Sequence, residues 1–130
     1  MENTLLVINR ISTLRRQTLM VLRDMGYSPI EQANNVEVAR KILQNNNSIS
    51  IILLELTASG AFIEEFEFLK DISKNPVTKH IRVIISSPIV ERDTVKKAVA
   101  VGIYKIIIKL NSLELFSKEL KKALDSLLKK

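Results

Sequence analysis

The side chains of this chain that could do chemistry are few, and most follow an aliphatic run. Cysteine is absent, which excludes thiolate metal sites, cysteine nucleophiles and disulfides together. His80 is the only histidine, with no second imidazole to share a metal, and reads as a surface loop residue. The three glycines, Gly26, Gly60 and Gly102, are isolated, so no phosphate-cradling loop exists. What remains is Asn9-Arg10 after Leu5-Leu6-Val7-Ile8, Glu55 after Ile51 to Leu54, Ser86-Ser87 after Ile81 to Ile85, and Lys109 after Tyr104 to Ile108. Brought together, these would place one carboxylate, Glu55, beside a hydroxyl and between two cations. Glu55 is expected to pair with Arg10, with Lys109 or with both. Glu64, Glu65 and Glu67 form a second acidic group, which suits the N-terminal end of a helix and needs no acid–base role.

The elements that must position these residues alternate strictly. Leu5 to Ile8 is short, β-prone and continuously apolar, as in a strand covered on both faces. A helix capped by Ser12 follows, with Leu14, Thr18, Val21, Leu22 and Met25 inward and Gly26 as its stop. A weak strand over Pro29 to Gln32 leads to a helix capped at Asn34-Asn35 and packed through Val38, Ala39, Ile42 and Leu43. Ile49 to Leu54 is the strongest strand signal and should be central. The next helix faces inward with Phe62, Phe66, Leu69 and Ile72 and ends before Asn75-Pro76. Ile81 to Ile85 is a buried strand, broken by Ser86, Ser87 and Pro88. A helix through Val95, Ala98, Val99 and Val101 stops at Gly102, Tyr104 to Ile108 is the last strand, and Asn111-Ser112 caps a final helix. That helix buries Leu113, Leu115, Phe116, Leu120, Ala123, Leu124 and Leu127.

Aliphatic strands alternating with amphipathic helices imply a parallel sheet covered on both faces. Five such units in 130 residues, read as one domain over residues 1–130, fit an α/β, flavodoxin-like (βα)5 doubly wound sheet of strand order 2-1-3-4-5. In that architecture ligands sit beyond the carboxyl ends of the strands, where the polar residues above stand.

These residues, in this order and spacing, resemble the receiver domain of bacterial two-component response regulators, especially the stand-alone chemotaxis type. The resemblance rests on Leu6 to Arg16, on Ile52-Leu53-Leu54-Glu55, on Val83 to Ser87, and on Gly102 with Lys109 seven residues later. In that family two acidic residues after the first strand bind Mg²⁺, an aspartate ending the third strand accepts a phosphoryl group, Ser or Thr ends the fourth, and lysine ends the fifth. The matching positions here are Asn9 and Arg10, Glu55, Ser86 and Lys109, so three of five active groups differ. Leu110 replaces the proline that follows the lysine, the loop after the third strand reads Leu56 to Ala61, and the switch aromatic falls at Ile106. The resemblance therefore implies a degenerate pseudo-receiver. Mg²⁺ requires oxygen ligands, usually with a carboxylate or two, and Glu55 carries its oxygen about 1.5 Å farther out than aspartate would. No metal, no cofactor and no enzymatic activity are expected, and the alternative is a receiver still phosphorylated on Glu55 or a nearby hydroxyl.

Charge points to where such a domain would act. The net charge is +6, but residues 1–65 hold 6 basic and 7 acidic groups against 14 and 7 in residues 66–130. Lys96, Lys97, Tyr104, Lys105, Ile106, Lys118 and Lys122 fall on the fourth helix, fifth strand and fifth helix, the family's usual contact surface. A protein partner with an acidic surface is expected there, or a homodimer through the same face. A basic nucleic-acid module is a weaker alternative, since no aromatic residues are interleaved for base stacking. No apolar run approaches the roughly 20 residues of a membrane helix and no basic leader opens the chain, so a cytoplasmic location is expected.

Overall fold

The computed structural model describes residues 4–57, 62–88, 91–108 and 112–128. Strands and helices alternate as β1 (Thr4–Ile8), α1 (Ser12–Asp24), β2 (Ile30–Ala33), α2 (Val36–Asn45), β3 (Ile49–Glu55), α3 (Ile63–Lys74), β4 (Arg82–Ser87), α4 (Arg92–Ala100), β5 (Lys105–Ile108) and α5 (Leu113–Leu128). All strand pairs are parallel, in the order β2-β1-β3-β4-β5. The expected α/β sheet and its switch between β1 and β3 are therefore present.

The continuous aliphatic runs arise because helices cover both faces. On one face Leu6, Ile8, Ile52, Leu54 and Ile85 pack with Ala39, Phe66, Phe68, Leu69 and Ala98. Their alternating neighbours Leu5, Val7, Ile51, Leu53 and Ile84 pack with Leu22, Phe116, Leu120 and Leu124. The period of two along each strand thus divides one apolar run between two cores.

Local signals differ from the sequence reading in specific places. Asn35 caps α2 as expected, its Oδ1 accepting the Val38 N–H at 2.8 Å, and Ser112 Oγ accepts the Leu115 N–H at 3.2 Å; Asn111 lies outside the described residues. Ser12 does not cap α1. Ile11 holds that position without a side-chain bond, and the Asn9 side chain instead accepts the Ile11 N–H. Ser86 and Ser87 do not break β4 but lie inside it, buried, because β5 pairs alongside them. Val38, Val99, Leu113 and Leu115 are exposed rather than inward. The α2 stripe starts at Val36, two residues from Val38, while Val99 and Leu115 each stand one residue, about 100°, off the stripes through Ala98 and Phe116. In α3 it is Phe68 that is fully buried, with Phe62 only half-buried at the helix entrance.

The Tyr27 hydroxyl joins the α1–β2 connection to α5 by donating to Asp125 Oδ1 at 3.0 Å. Burial, then the hydrogen bond to Asp125 and its negative charge, push the phenol up to about 12. The unfolded phenol titrates near 10, so the folded chain holds this proton more tightly. The contribution is fully present below pH ~10 and is lost as pH rises towards 12. Tyr27→Phe should flatten the alkaline limb of a Tm-versus-pH curve over that window; an unchanged slope would show the link to be energetically silent.

Candidate functional site

The carboxyl ends of β1, β3 and β4 bring Asn9, Glu55 and Ser86 to one edge of the sheet. All three are buried, and Arg10 is exposed beside them. Glu55 and Ser86 are register partners across β3 and β4, and the Leu56 N–H donates to the Ser86 carbonyl at 2.8 Å. Ser86 is 1% exposed, and its Oγ has no hydrogen-bond partner among the described residues. Lys109 lies outside the described residues, as do the loop residues 58–61 and Leu110.

Asn9 is committed to the backbone. Its Oδ1 accepts the Ile11 N–H at 2.9 Å, the turn geometry that short amides favour. Its carbonyl accepts from Arg15 Nη1 at 2.7 Å, while Arg15 Nε donates to Gln32 Oε1 at 2.9 Å, which ties the end of β1 to α1 and β2.

Arg10 does not make the ion pair with Glu55 that the sequence suggests. Its Nη2 lies 3.1 Å from Glu65 Oε2 and 3.4 Å from Glu64 Oε2, both in the first turn of α3. The Arg10 side chain is 55% exposed and that of Glu65 only 12%, so the guanidinium serves chiefly to pair a carboxylate that is mostly withdrawn from water. The chain enters α3 through Phe62, a non-glycine residue at φ 49°, and this left-handed turn sets where the first-turn carboxylates stand. Sequence reasoning assigned Glu64 and Glu65 to the helix dipole alone. Their partnership with Arg10 requires knowing that the β1–α1 and β3–α3 connections lie side by side, which only the switch in strand order shows.

The Arg10–Glu64 pair borders an open cleft of about 580 Å³ whose walls also include Asn35, Glu37, Arg40 and Glu67. Arg40 is itself engaged, 2.8 Å from Asp71 Oδ2 and 5.3 Å above the Phe68 ring, so it holds α2 against α3. The cleft therefore presents mixed charge.

The residues at this edge do not fit a divalent cation. Asn9 has spent its side-chain oxygen on a turn, and Arg10 brings a fixed positive charge to the neighbouring position, which repels a dication where carboxylates would attract it. Among the described residues no group of three or more His, Cys, Asp or Glu is placed to hold a metal ion, and no helix is long and apolar enough to cross a membrane.

The sequence residues on the other face are also placed. Lys96 and Lys97 lie on α4, Lys105 and Ile106 on β5, and Lys118 and Lys122 on α5, with all five lysines exposed and Ile106 half-buried. Tyr104 precedes β5, and its hydroxyl is 2.6 Å from Ser126 Oγ on α5. Lys97 Nζ stands 5.9 Å over the Phe66 ring.

The same fold is found in receiver domains of response regulators. A signal receiver domain of a two-component histidine kinase from Clostridium thermocellum superposes with a TM-score of 0.81 at 22% identity, over 100% of both chains. The phosphorylated cyanobacterial phytochrome response regulator RcpA gives 0.80 at 16% identity, over 99% of this chain and 96% of that one. The chemotaxis response regulator CheY4 of Vibrio cholerae gives 0.77 at 19% identity, over 95% and 99%. No protein-family model and no curated protein matches the sequence. At these identities the likeness is one of fold.

Proposed function

We propose that this chain is a phosphorylation-independent pseudo-receiver, a non-enzymatic signalling or adaptor domain that binds a protein with an acidic surface. The observation that carries this reading is Arg10. At a position where receivers hold a metal-binding acid, it places a guanidinium already paired with Glu64 and Glu65. Without a dication to offset charge on a transferring phosphoryl group, and with Glu55 one methylene longer than aspartate, phosphotransfer loses both electrostatic stabilisation and alignment. Ser86 is no substitute acceptor, since its hydroxyl is closed off from any donor in solvent.

Binding is assigned to the face formed by α4, β5 and α5. These three elements carry the five lysines named above, of which Lys97 leans over Phe66 of α3, and Val99, Tyr104, Ile108, Leu113 and Leu115 on or beside them are exposed, five of the ten exposed large apolar side chains among the described residues. Apolar area bordered by one sign of charge suits association with a complementary partner. The test uses the partner that the intact chain retains from cell lysate. Reversing Lys97, Lys105 and Lys122 to glutamate together should weaken its binding by roughly a hundredfold or more, while Glu55→Gln should leave it within about threefold. If Glu55→Gln abolishes binding and the lysine reversals do not, the strand-end pocket is the functional site and the assignment to the basic face is wrong.

A further inference from the structure

The two edges of the sheet are built differently. At one edge, β2 exposes Glu31 and Gln32, and Gln32 is held by Arg15 from α1. Polar and charged side chains of this kind discourage further strand pairing. At the other edge, β5 reads Lys-Ile-Ile-Ile and, among the described residues, pairs only with β4. Backbone N–H and C=O groups alternate in direction along a strand, so half of those on β5 point away from β4.

A groove of about 330 Å³ runs along this edge, lined by all four residues of β5 with Leu115 and Glu119 of α5. Ile108 and Leu115 are about half exposed within it. A second groove, sharing Leu115 and Glu119, continues onto Lys118, Lys121 and Lys122, and of these Lys121 is paired with Asp125 at 3.2 Å. Lys105 therefore lines the groove along the strand edge and Lys118 and Lys122 the adjoining one, with two acidic groups among the linings, Glu119 in both and Asp125, paired with Lys121, in the second. A second copy of the chain would bring the same lysines against these, at a cost in repulsion.

We propose that an extended acidic segment of a partner protein adds to β5 as a sixth strand, its backbone pairing with the open edge and its carboxylates meeting Lys105, Lys118 and Lys122. This rests on the assignment of function to the basic face and specifies what that face takes. The form of recognition is strand addition, in which main-chain hydrogen bonds supply affinity and alternate side chains supply specificity.

The test uses the full chain and a fluorescein-labelled, end-capped nonapeptide of alternating valine and glutamate, followed by anisotropy. In an added strand, residues of one parity turn their N–H groups towards β5 and those of the other parity turn them to solvent. N-methylation of all valines or of all glutamates should therefore have opposite outcomes: one series loses about tenfold or more in affinity and the other changes little. Lys105→Glu with Lys118→Glu and Lys122→Glu should abolish binding of the parent peptide. A helix-forming peptide of alanine, leucine and glutamate with equal charge should bind more weakly. If it binds as tightly, or if both methylated series bind like the parent, strand addition is wrong while the basic-face reading stands. If neither peptide binds and the lysine reversals leave retention of the lysate partner unchanged, both readings fall. Chain dimers that dissociate when Ile108 is changed to lysine would give the edge to a second copy and overturn the acidic occupant.

Discussion

Asn9→Asp, Arg10→Asp and Glu55→Asp introduced together are expected to give this chain an affinity for Mg²⁺. The substitutions change the local charge by three units and remove the guanidinium that binds Glu64 and Glu65. Carboxylates at the ends of β1 and β3 would then face each other across adjacent parallel strands, since Ile8 and Leu54 are register partners. Like charges gathered in this way are costly until a dication bridges them, so the triple variant should unfold at a lower temperature than the native chain when metal is absent. Mg²⁺ at about a hundredfold over its dissociation constant would return about 2.7 kcal/mol, which for a domain of this size is roughly 5 to 10 °C in Tm. The native chain should show no shift over the same titration. A triple variant that folds but gains nothing from Mg²⁺ would mean that more than the missing acids separates this edge from a metal site.

The largest effect on stability should come from the two phenylalanines that anchor opposite faces of the sheet. Phe68 lies in the core beneath α2, α3 and α4, and Phe116 in the core beneath α1 and α5, each almost fully buried. Truncating a buried phenylalanine to alanine costs about 3–5 kcal/mol, by lost transfer energy and by the cavity left behind. Because the sheet separates the two sites, their effects should add. The pair would then remove about 6–10 kcal/mol from a total that is typically 5–15. Urea unfolding should show each single variant folded with a lowered midpoint and the double variant largely unfolded at 25 °C. Phe68→Ala should also loosen the contact of α2 with α3, because Arg40 rests on that ring while paired to Asp71. Near-additive losses would confirm two independent cores; a double variant no worse than either single one would contradict them.

Most of the architecture was legible because each strand is a compact aliphatic run and each helix carries a spaced apolar stripe. Those signals suffice to order five units, and the known handedness of parallel crossovers leaves few ways to arrange them. What escaped was set by neighbours distant in sequence. Ser86 and Ser87 look like a break until β5 is laid beside them, since pairing and burial override a weak strand preference. Val38, Val99 and Leu115 are apolar and close to the true stripes, and one position of helical phase decides whether such a residue is buried. At the candidate site, the resemblance to receiver domains, followed position by position, puts Asn9 and Arg10 where that family has its acidic pair. The partner of Arg10 was not legible, because Glu64 and Glu65 stand 54 and 55 residues away and are brought close only by the switch between β1 and β3.

Intact-mass spectrometry of the native chain after incubation with acetyl phosphate and Mg²⁺ tests the central claim most directly. An Arg10 guanidinium in place of a metal-binding acid, a Glu55 carboxylate in place of an aspartate and a buried Ser86 hydroxyl together predict a single species at the unmodified mass. A species heavier by about 80 Da, the increment of one phosphoryl group, mapped to Glu55 as a hydrolytically labile acyl phosphate or to Ser86 as an acid-stable ester, would show that the chain is a working receiver and contradict the account.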